Sequence, residues 1–145
     1  MCIRDRYPIQ CDFAAMISPQ AFAEFVLPSL VEQCQRLDRT IYHLDGPGQI
    51  NHLDYLLEIP ELTGIQWTPG AGNPEVDSSC WFPLYKKIQA KGKRLVLLGV
   101  DKKRIEKLLK EISPEGLLIT TLCESKEEGE QILEKVKKWS VKKIY

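Results

Sequence analysis

The chain alternates between short apolar runs and amphipathic stretches, and this alternation constrains its fold more than any other feature. Four apolar runs rich in β-branched residues are separated by segments with helical periodicity. Each run is mostly apolar on both faces, which is typical of a parallel strand covered by helices. The predicted strands are 40–44, 64–68, 94–99 and 116–122, with a further strand end at 9–13.

The segments between these runs carry helix signals. Ser18 followed by Pro19 is typical of an N-cap and a first helical residue, and Pro28 is expected to kink the helix that follows. Ser125 and Glu128 match a capping box at the start of the last helix. Further helices are predicted at 50–59, 81–91 and 102–112. The stripes predicted to be buried are Phe22, Phe25, Val26, Leu30 and Val31 in the first helix, and Ile132, Leu133, Val136 and Trp139 in the last.

Strands that alternate with helices predict an α/β fold with a parallel sheet and right-handed crossovers. Two architectures fit this order: a small doubly wound sheet, or half of a (βα)8 barrel, which as a whole needs about 250 residues. The pattern alone slightly favours the doubly wound sheet, because that would be a complete domain. In both architectures ligands bind beyond the carboxyl ends of the strands.

Composition excludes some classes of function. The 20 basic residues equal the 20 acidic ones and form no basic stripe, which argues against nucleic-acid binding. No apolar run is long enough to span a bilayer. The 5 cysteines are widely spaced and contain no CxxC pair, which indicates a reducing compartment. We therefore expect a soluble, cytoplasmic protein.

The first residues, MCIRDR, show no periodicity and resemble the translated adapter sequence found at the head of some metagenomic reading frames. We expect residues 1–8 to be a non-native or disordered leader and residues 9–145 to form a partial barrel domain. The natural gene is then expected to extend upstream, which would make this chain a fragment.

Polar and metal-ligating side chains are concentrated where the predicted strands end. The strand predicted at 40–44 has His43 near its end and Asp45 directly after it, and the strand predicted at 64–68 has Gln66 and Trp67 near its end. The Gly- and Pro-rich segment 69–80 is the longest connection, as expected for a binding loop. It lacks the Lys-Ser/Thr of a P-loop and the GxGxxG spacing, so it is a weak phosphate-binding candidate.

Three stretches resemble the uroporphyrinogen decarboxylase superfamily, which includes the decarboxylase and methyltransferases that serve corrinoid proteins. CDFAAMISPQAFAEFVLP at 11–28 is similar to the region around that barrel's fourth strand, and YHLDGP at 42–47 lies where the methyltransferases carry an H-x-C-G motif. Segment 42–72 is similar to a poorly characterised branch. The resemblance covers 11–139 and only the second half of the family's barrel. It therefore implies the C-terminal half of a (βα)8 TIM barrel.

The resemblance also implies a metal site. In the zinc-dependent methyltransferases the His and Cys of H-x-C-G and a second Cys bind zinc, which activates a thiol acceptor. When these ligand positions are transferred to this sequence, His43 matches the His of H-x-C-G, Asp45 stands in place of its Cys, and Cys123 matches the second Cys. A His/Asp/Cys set with an open position is acceptable for zinc. A carboxylate is a harder ligand than the thiolate it replaces, so this set of ligands also suits a metal other than zinc, or no metal at all.

Several residues have both a functional and a structural interpretation. His43 could be a packing histidine, Asp45 a turn residue, and Cys123 a buried thiol at a strand end. Trp67 could equally fill the core. His52 is predicted to be a structural or a surface residue, and Cys34 a small buried hydrophobic residue. The candidate catalytic residues are Asp45 and Asp12, the candidate substrate-binding residues are Gln66, Trp67, Gly70, Gly72 and Trp81, and the candidate metal ligands are His43, Asp45 and Cys123.

Three functions remain open at this point. The first is metal-dependent methyl transfer to a small thiol or a corrinoid-linked substrate, with zinc as cofactor and a corrinoid protein as a partner. The second is a metal-free, uroporphyrinogen decarboxylase-like carboxy-lyase, although the strand-end loops carry almost no Arg for a polycarboxylate. The third is a non-catalytic, small-molecule-binding half-barrel. Because a half-barrel exposes apolar surface, we expect it to self-associate, and we expect the fragment alone to be inactive.

Overall fold

The computed structural model describes residues 7–141, and in it five parallel strands form a single sheet that alternates with helices. This confirms the predicted α/β class and the parallel sheet. The strands lie side by side in chain order, β1 to β5. Their bounds are β1 Tyr7–Ile9, β2 Thr40–Asp45, β3 Leu62–Thr68, β4 Arg94–Leu97 and β5 Leu117–Ile119.

Helical segments connect every strand to the next. Most connections contain an α-helix preceded by a tighter or wider turn, and the last helix follows β5. None of the helices between residues 7 and 141 is long and apolar enough to cross a membrane. The α-helices are α1 Pro19–Ala21, α2 Leu27–Arg36, α3 Leu53–Leu57, α4 Phe82–Ala90, α5 Ile105–Glu111 and α6 Lys126–Trp139; 3-10 turns occupy Asp12–Met16, Pro47–His52 and Ser79–Trp81, and a π turn occupies Phe22–Val26.

The first helical segment begins as the sequence predicts, because the Ser18 hydroxyl accepts a hydrogen bond from the Ala21 amide at 3.1 Å. The irregularity expected at Pro28 takes the form of the preceding π turn, in which the Leu27 amide bonds the Phe22 carbonyl. The wider turn rotates the side chains that follow it. The prediction that Phe25, which lies within this turn, is buried is wrong: its side chain is 71% exposed, while Phe22 and Leu30 are buried.

The strand order determines where the helices lie. When parallel strands follow one another in order with right-handed crossovers, all the connecting helices lie on the same face of the sheet. Burial along β2 agrees, since Tyr42 and Leu44 are buried while Ile41, His43 and Asp45 are not. We call the face with Ile41, His43 and Asp45 the open face. No strand-order reversal, which marks a doubly wound sheet, occurs among these five strands.

The two ends of the sheet depart from prediction. The first strand lies at Tyr7–Ile9 and not at 9–13, because the chain turns at Cys11 into the 3-10 turn that contains Asp12. The sheet thus begins before the domain boundary predicted at residue 9; residues 1–6 lie outside the described part of the chain. At the other end, α6 buries no residue fully and Leu133 is 61% exposed, so the predicted buried stripe of this helix is wrong at Leu133.

Candidate functional site

Strand register brings the predicted strand-end residues into adjacent positions. His43 lies beside Gln66, and Asp45 lies beside Thr68, at the carboxyl end of β2 and β3. The row of His43 and Gln66 continues across the sheet through Val96 and on to β5. In this row the open face is therefore polar on β2 and β3 and apolar on β4 and β5.

Asp45 is the last residue of β2, and the backbone turns sharply after it. Gly46 has a φ of +77°, a conformation that side-chain-bearing residues rarely adopt. Its amide donates a hydrogen bond to the Thr68 carbonyl at 2.8 Å, which ties the loop to β3. The Asp45 side chain is exposed and His43 is half-buried. Neither side chain has a hydrogen-bond or ion-pair partner between residues 7 and 141, so both are free to contact a ligand.

Gln66 and Trp67 lie on opposite faces of β3. Gln66 is half-buried on the open face, whereas Trp67 is 1% exposed on the side covered by helices. The Trp67 ring packs edge-on against Trp81, with ring centroids 4.9 Å apart. The indole of Trp81 donates to the Pro74 carbonyl at 3.1 Å. The structure therefore places both tryptophans beneath the loop after β3 and away from His43.

The long loop after β3 is fixed by a buried carboxylate that the sequence did not single out. The Asp77 side chain is 2% exposed and accepts hydrogen bonds from the Asp101 amide at 2.8 Å and from the Arg104 guanidinium at 2.7 Å. The Tyr85 hydroxyl donates to the Val76 carbonyl, and burial raises the pKa of that phenol. Only tertiary structure brings Asp77 to Arg104, so no local signal in the sequence marks it.

Gly70 and Gly72 lie in the exposed part of this loop. Both have φ near +80°, which is the reason for glycine at these positions. The Asn73 side chain caps the turn by donating to the Pro69 carbonyl at 2.9 Å. A Cβ at position 72 would meet nothing within 4 Å, so this turn leaves open space beside it.

Asp12 lies at the same edge of the sheet as His43 and Asp45. It is exposed in the 3-10 turn that follows β1, the strand next to β2. Two hydrogen bonds of the Gln49 side chain stabilise this turn. Its Nε2 donates to the Cys11 carbonyl at 3.3 Å, and its Oε1 accepts from the Tyr42 hydroxyl at 3.3 Å. The structure thus supports Asp12 on a fixed turn near the candidate site.

His52 holds the same turn and has the structural role that the sequence predicted. It is 1% exposed, its ring stacks on Phe22 with centroids 4.4 Å apart, and its Nε2 lies 2.8 Å from the Ala14 carbonyl. Because a carbonyl only accepts, Nε2 carries the proton. Cys34 is also buried, as predicted, and burial raises the pKa of its thiol.

Cys123 lies apart from His43 and Asp45. It is exposed after β5, beside the first turn of α6. β3 and β4 separate its strand from β2, a distance of about 14 Å along the sheet at roughly 4.8 Å per strand. Within residues 7–141 no group of three His, Cys, Asp or Glu side chains is arranged to hold a metal ion. The structure therefore brings together two of the three predicted ligands.

No protein-family model, curated protein or solved structure matches the chain. The superfamily resemblance therefore stays a prediction. The geometry itself offers an imidazole, a carboxylate, an amide and a hydroxyl on one surface, at His43, Asp45, Gln66 and Thr68. These groups suit binding of a metal ion or of a small polar ligand.

Proposed function

We propose that the open face is the inner surface of half a (βα)8 barrel, and that its carboxyl edge is part of the active site of an enzyme similar to the uroporphyrinogen decarboxylase superfamily. The sequential strand order supports this, because a barrel is built from strands in chain order with helices outside. The polar groups at the carboxyl ends of β2 and β3 support it too, since barrel enzymes place their chemistry there.

The reaction we propose is methyl transfer to a small thiol, assisted by a divalent metal. The observation that carries this proposal is the placement of His43 and Asp45 two residues apart on one face of β2. Their Cα atoms are then about 6.6 Å apart, so both side chains can reach an ion at the usual ligand distances of about 2.0–2.2 Å. Such an ion would polarise the thiol and favour its thiolate.

Catalytic zinc sites usually take three protein ligands and leave one position open. Because Cys123 is three strands away, we propose that the third protein ligand comes from the strands that complete the barrel. Beside the two ligands, the Gln66 amide and the Thr68 hydroxyl would orient the substrate by hydrogen bonds. The methyl donor could reach the site by way of a corrinoid protein.

The test is the zinc content and zinc affinity of the purified, reduced protein. We expect zinc binding that falls at least tenfold in His43→Ala and in Asp45→Asn, since each loses one ligand. Gln66→Ala is the matched control on the neighbouring strand and should retain zinc. Cys123→Ser should also retain it. Unchanged zinc affinity in His43→Ala would refute the metal assignment.

A metal-free reaction is the second candidate, and one observation favours it: residues 7–141 supply only two of the three ligands sought. In that case the exposed Asp45 carboxyl would act as an acid or a hydrogen-bonding group toward a small substrate, as in decarboxylases of the superfamily. A folded protein that binds no zinc, but whose ligand binding is lost in Asp45→Asn, would favour this candidate.

A further inference from the structure

The open face contains an apolar area that nothing between residues 7 and 141 covers. Leu98 is 46% exposed and Leu118 is 52% exposed, and Ile41 and Val96 are only half-buried. Three of these residues line a cavity of about 440 Å³ at the amino end of the sheet. Apolar side chains clustered on one sheet face are typical of a surface that is buried in an assembly.

The charged residues of the open face lie at the two ends of the strands. Arg39 immediately precedes β2 and Asp45 is its last residue, so the two charges lie at opposite ends of one strand. Arg39 lines the cavity at the amino end together with Arg94. Within the described part of the chain Arg39, Arg94 and Asp45 have no ion-pair partner. The face is therefore basic at its amino end and acidic at its carboxyl end.

We infer that in the 145-residue chain the open face packs against the open face of a second copy, with the strands of the two copies running in opposite directions. A two-fold axis that crosses the strands brings the amino end of each β2 over the carboxyl end of the other. Arg39 of each copy then meets Asp45 of the other, twice in one symmetric interface. An axis along the strands would instead place the amino end of one copy, with Arg39 and Arg94, over the same end of the other, which is repulsive.

The geometry and charge of the face fit this arrangement. Two sheets pack face to face about 10 Å apart, a gap that the side chains of Arg and Asp span together. The apolar side chains Ile41, Val96 and Leu118 lie between the two charged ends and would fill the centre, while Leu98 follows the carboxyl end of β4 and would lie at the edge of the contact. The net charge of the chain is zero, so the copies do not repel each other as wholes. The second copy would cover the apolar part of the open face that nothing between residues 7 and 141 covers.

The inference does not depend on metal binding, because it uses only the charges at positions 39 and 45 and the apolar side chains. Its test is the molar mass of the protein in solution, measured by light scattering and by sedimentation over a range of concentrations. We expect a dimer. Arg39→Glu and Asp45→Arg each create two like-charge contacts, so each variant should weaken dimerisation about tenfold or more.

The decisive sample is an equal mixture of the two variants. In a pair of one Arg39→Glu copy and one Asp45→Arg copy, the native Asp45 of the first meets the native Arg39 of the second, and the two substituted side chains form a second ion pair of reversed sign. The mixture should therefore dimerise at a concentration at which each variant alone is mostly monomeric. Lys107→Glu, an exposed charge reversal on α5, is the matched control and should stay dimeric. Leu118→Glu should be monomeric, with its circular dichroism unchanged as a check on folding.

Three results would overturn the inference: a monomeric parent protein, dimerisation that is indifferent to both charge variants, or a mixture that stays monomeric. A mixture that stays monomeric would say nothing about zinc binding by the parent protein, which is measured separately. Failure of this inference is therefore distinguishable from failure of the proposed function. Salt gives an independent check, since screening should weaken the parent dimer and strengthen each single variant relative to it.

Discussion

Replacement of Asp77 by Ala is expected to loosen the loop between β3 and α4 and to lower the stability of the whole domain. Its side chain is buried and accepts one hydrogen bond from the Asp101 amide and one from the Arg104 guanidinium. An alanine leaves that amide without its side-chain acceptor and the guanidinium without its ion pair. The loop then loses its polar connection to the segment that follows β4.

The expected size of the effect comes from these two bonds. An amide that loses its partner costs roughly 1–2 kcal/mol. The Arg104 side chain is 52% exposed, so solvent screens the ion pair and its loss adds little. The expected loss of unfolding free energy is therefore about 1–2 kcal/mol. With a urea m-value of about 1.5–2 kcal/mol per molar, the midpoint falls by about 0.5–1.3 M.

Urea unfolding followed by circular dichroism measures this change. Asp77→Asn keeps an acceptor for the Asp101 amide and should cost less than Asp77→Ala. Lys110→Ala, which removes an exposed ion pair with Glu106, is the control and should change the free energy by less than about 0.5 kcal/mol. If Asp77→Ala unfolds at the same urea concentration as Lys110→Ala, the anchoring role of Asp77 is refuted.

Three further predictions concern single positions. Gly64→Ala should destabilise the sheet by about 2 kcal/mol or more in urea, because the added Cβ would lie 2.5 Å from the Arg94 carbonyl oxygen; a neutral result would contradict this close approach. The Lys102 ammonium lowers the pKa of the Glu128 carboxyl in the folded state. Glu128 therefore stabilises the fold at pH values above its ordinary pKa, and this stabilisation is lost as the pH falls through the lowered pKa. In Glu128→Gln the free energy of unfolding should depend less steeply on pH in the acid range, and an unchanged dependence would count against the Lys102–Glu128 ion pair. Cys34 should react with a thiol reagent only on unfolding, whereas rapid reaction of all the thiols in the folded protein would show that α2 does not bury it.

Local signals in the sequence predicted the alternation of elements correctly. β2 and β3 consist mostly of buried and half-buried residues, and each is followed directly by a Gly and a Pro that turn the chain. The caps at Ser18 and Ser125 are formed as expected, because a Ser hydroxyl at those positions satisfies a free amide of the first turn. These features depend on neighbours within a few residues, which is why the sequence alone reveals them.

Features that depend on tertiary structure were not predictable in the same way. From the sequence alone Trp67 could be either a core residue or a substrate-binding residue. Only the burial pattern of β3 shows that it faces the helices. Cys123 lies near the carboxyl end of a strand just as His43 and Asp45 do, but β3 and β4 lie between its strand and theirs. Asp77 becomes recognisable only when its burial and its contact with Arg104 are known.

The most direct test of the candidate site is zinc titration of the reduced protein, observed through its histidine side chains by NMR. The chain has 2 histidines, and the structure assigns them opposite roles: His43 is half-buried on the open face, while His52 is buried against Phe22 and bonded to Ala14. We expect zinc to shift the imidazole signals of His43 and to leave those of His52 unchanged. Unchanged His43 signals at saturating zinc would contradict this expectation.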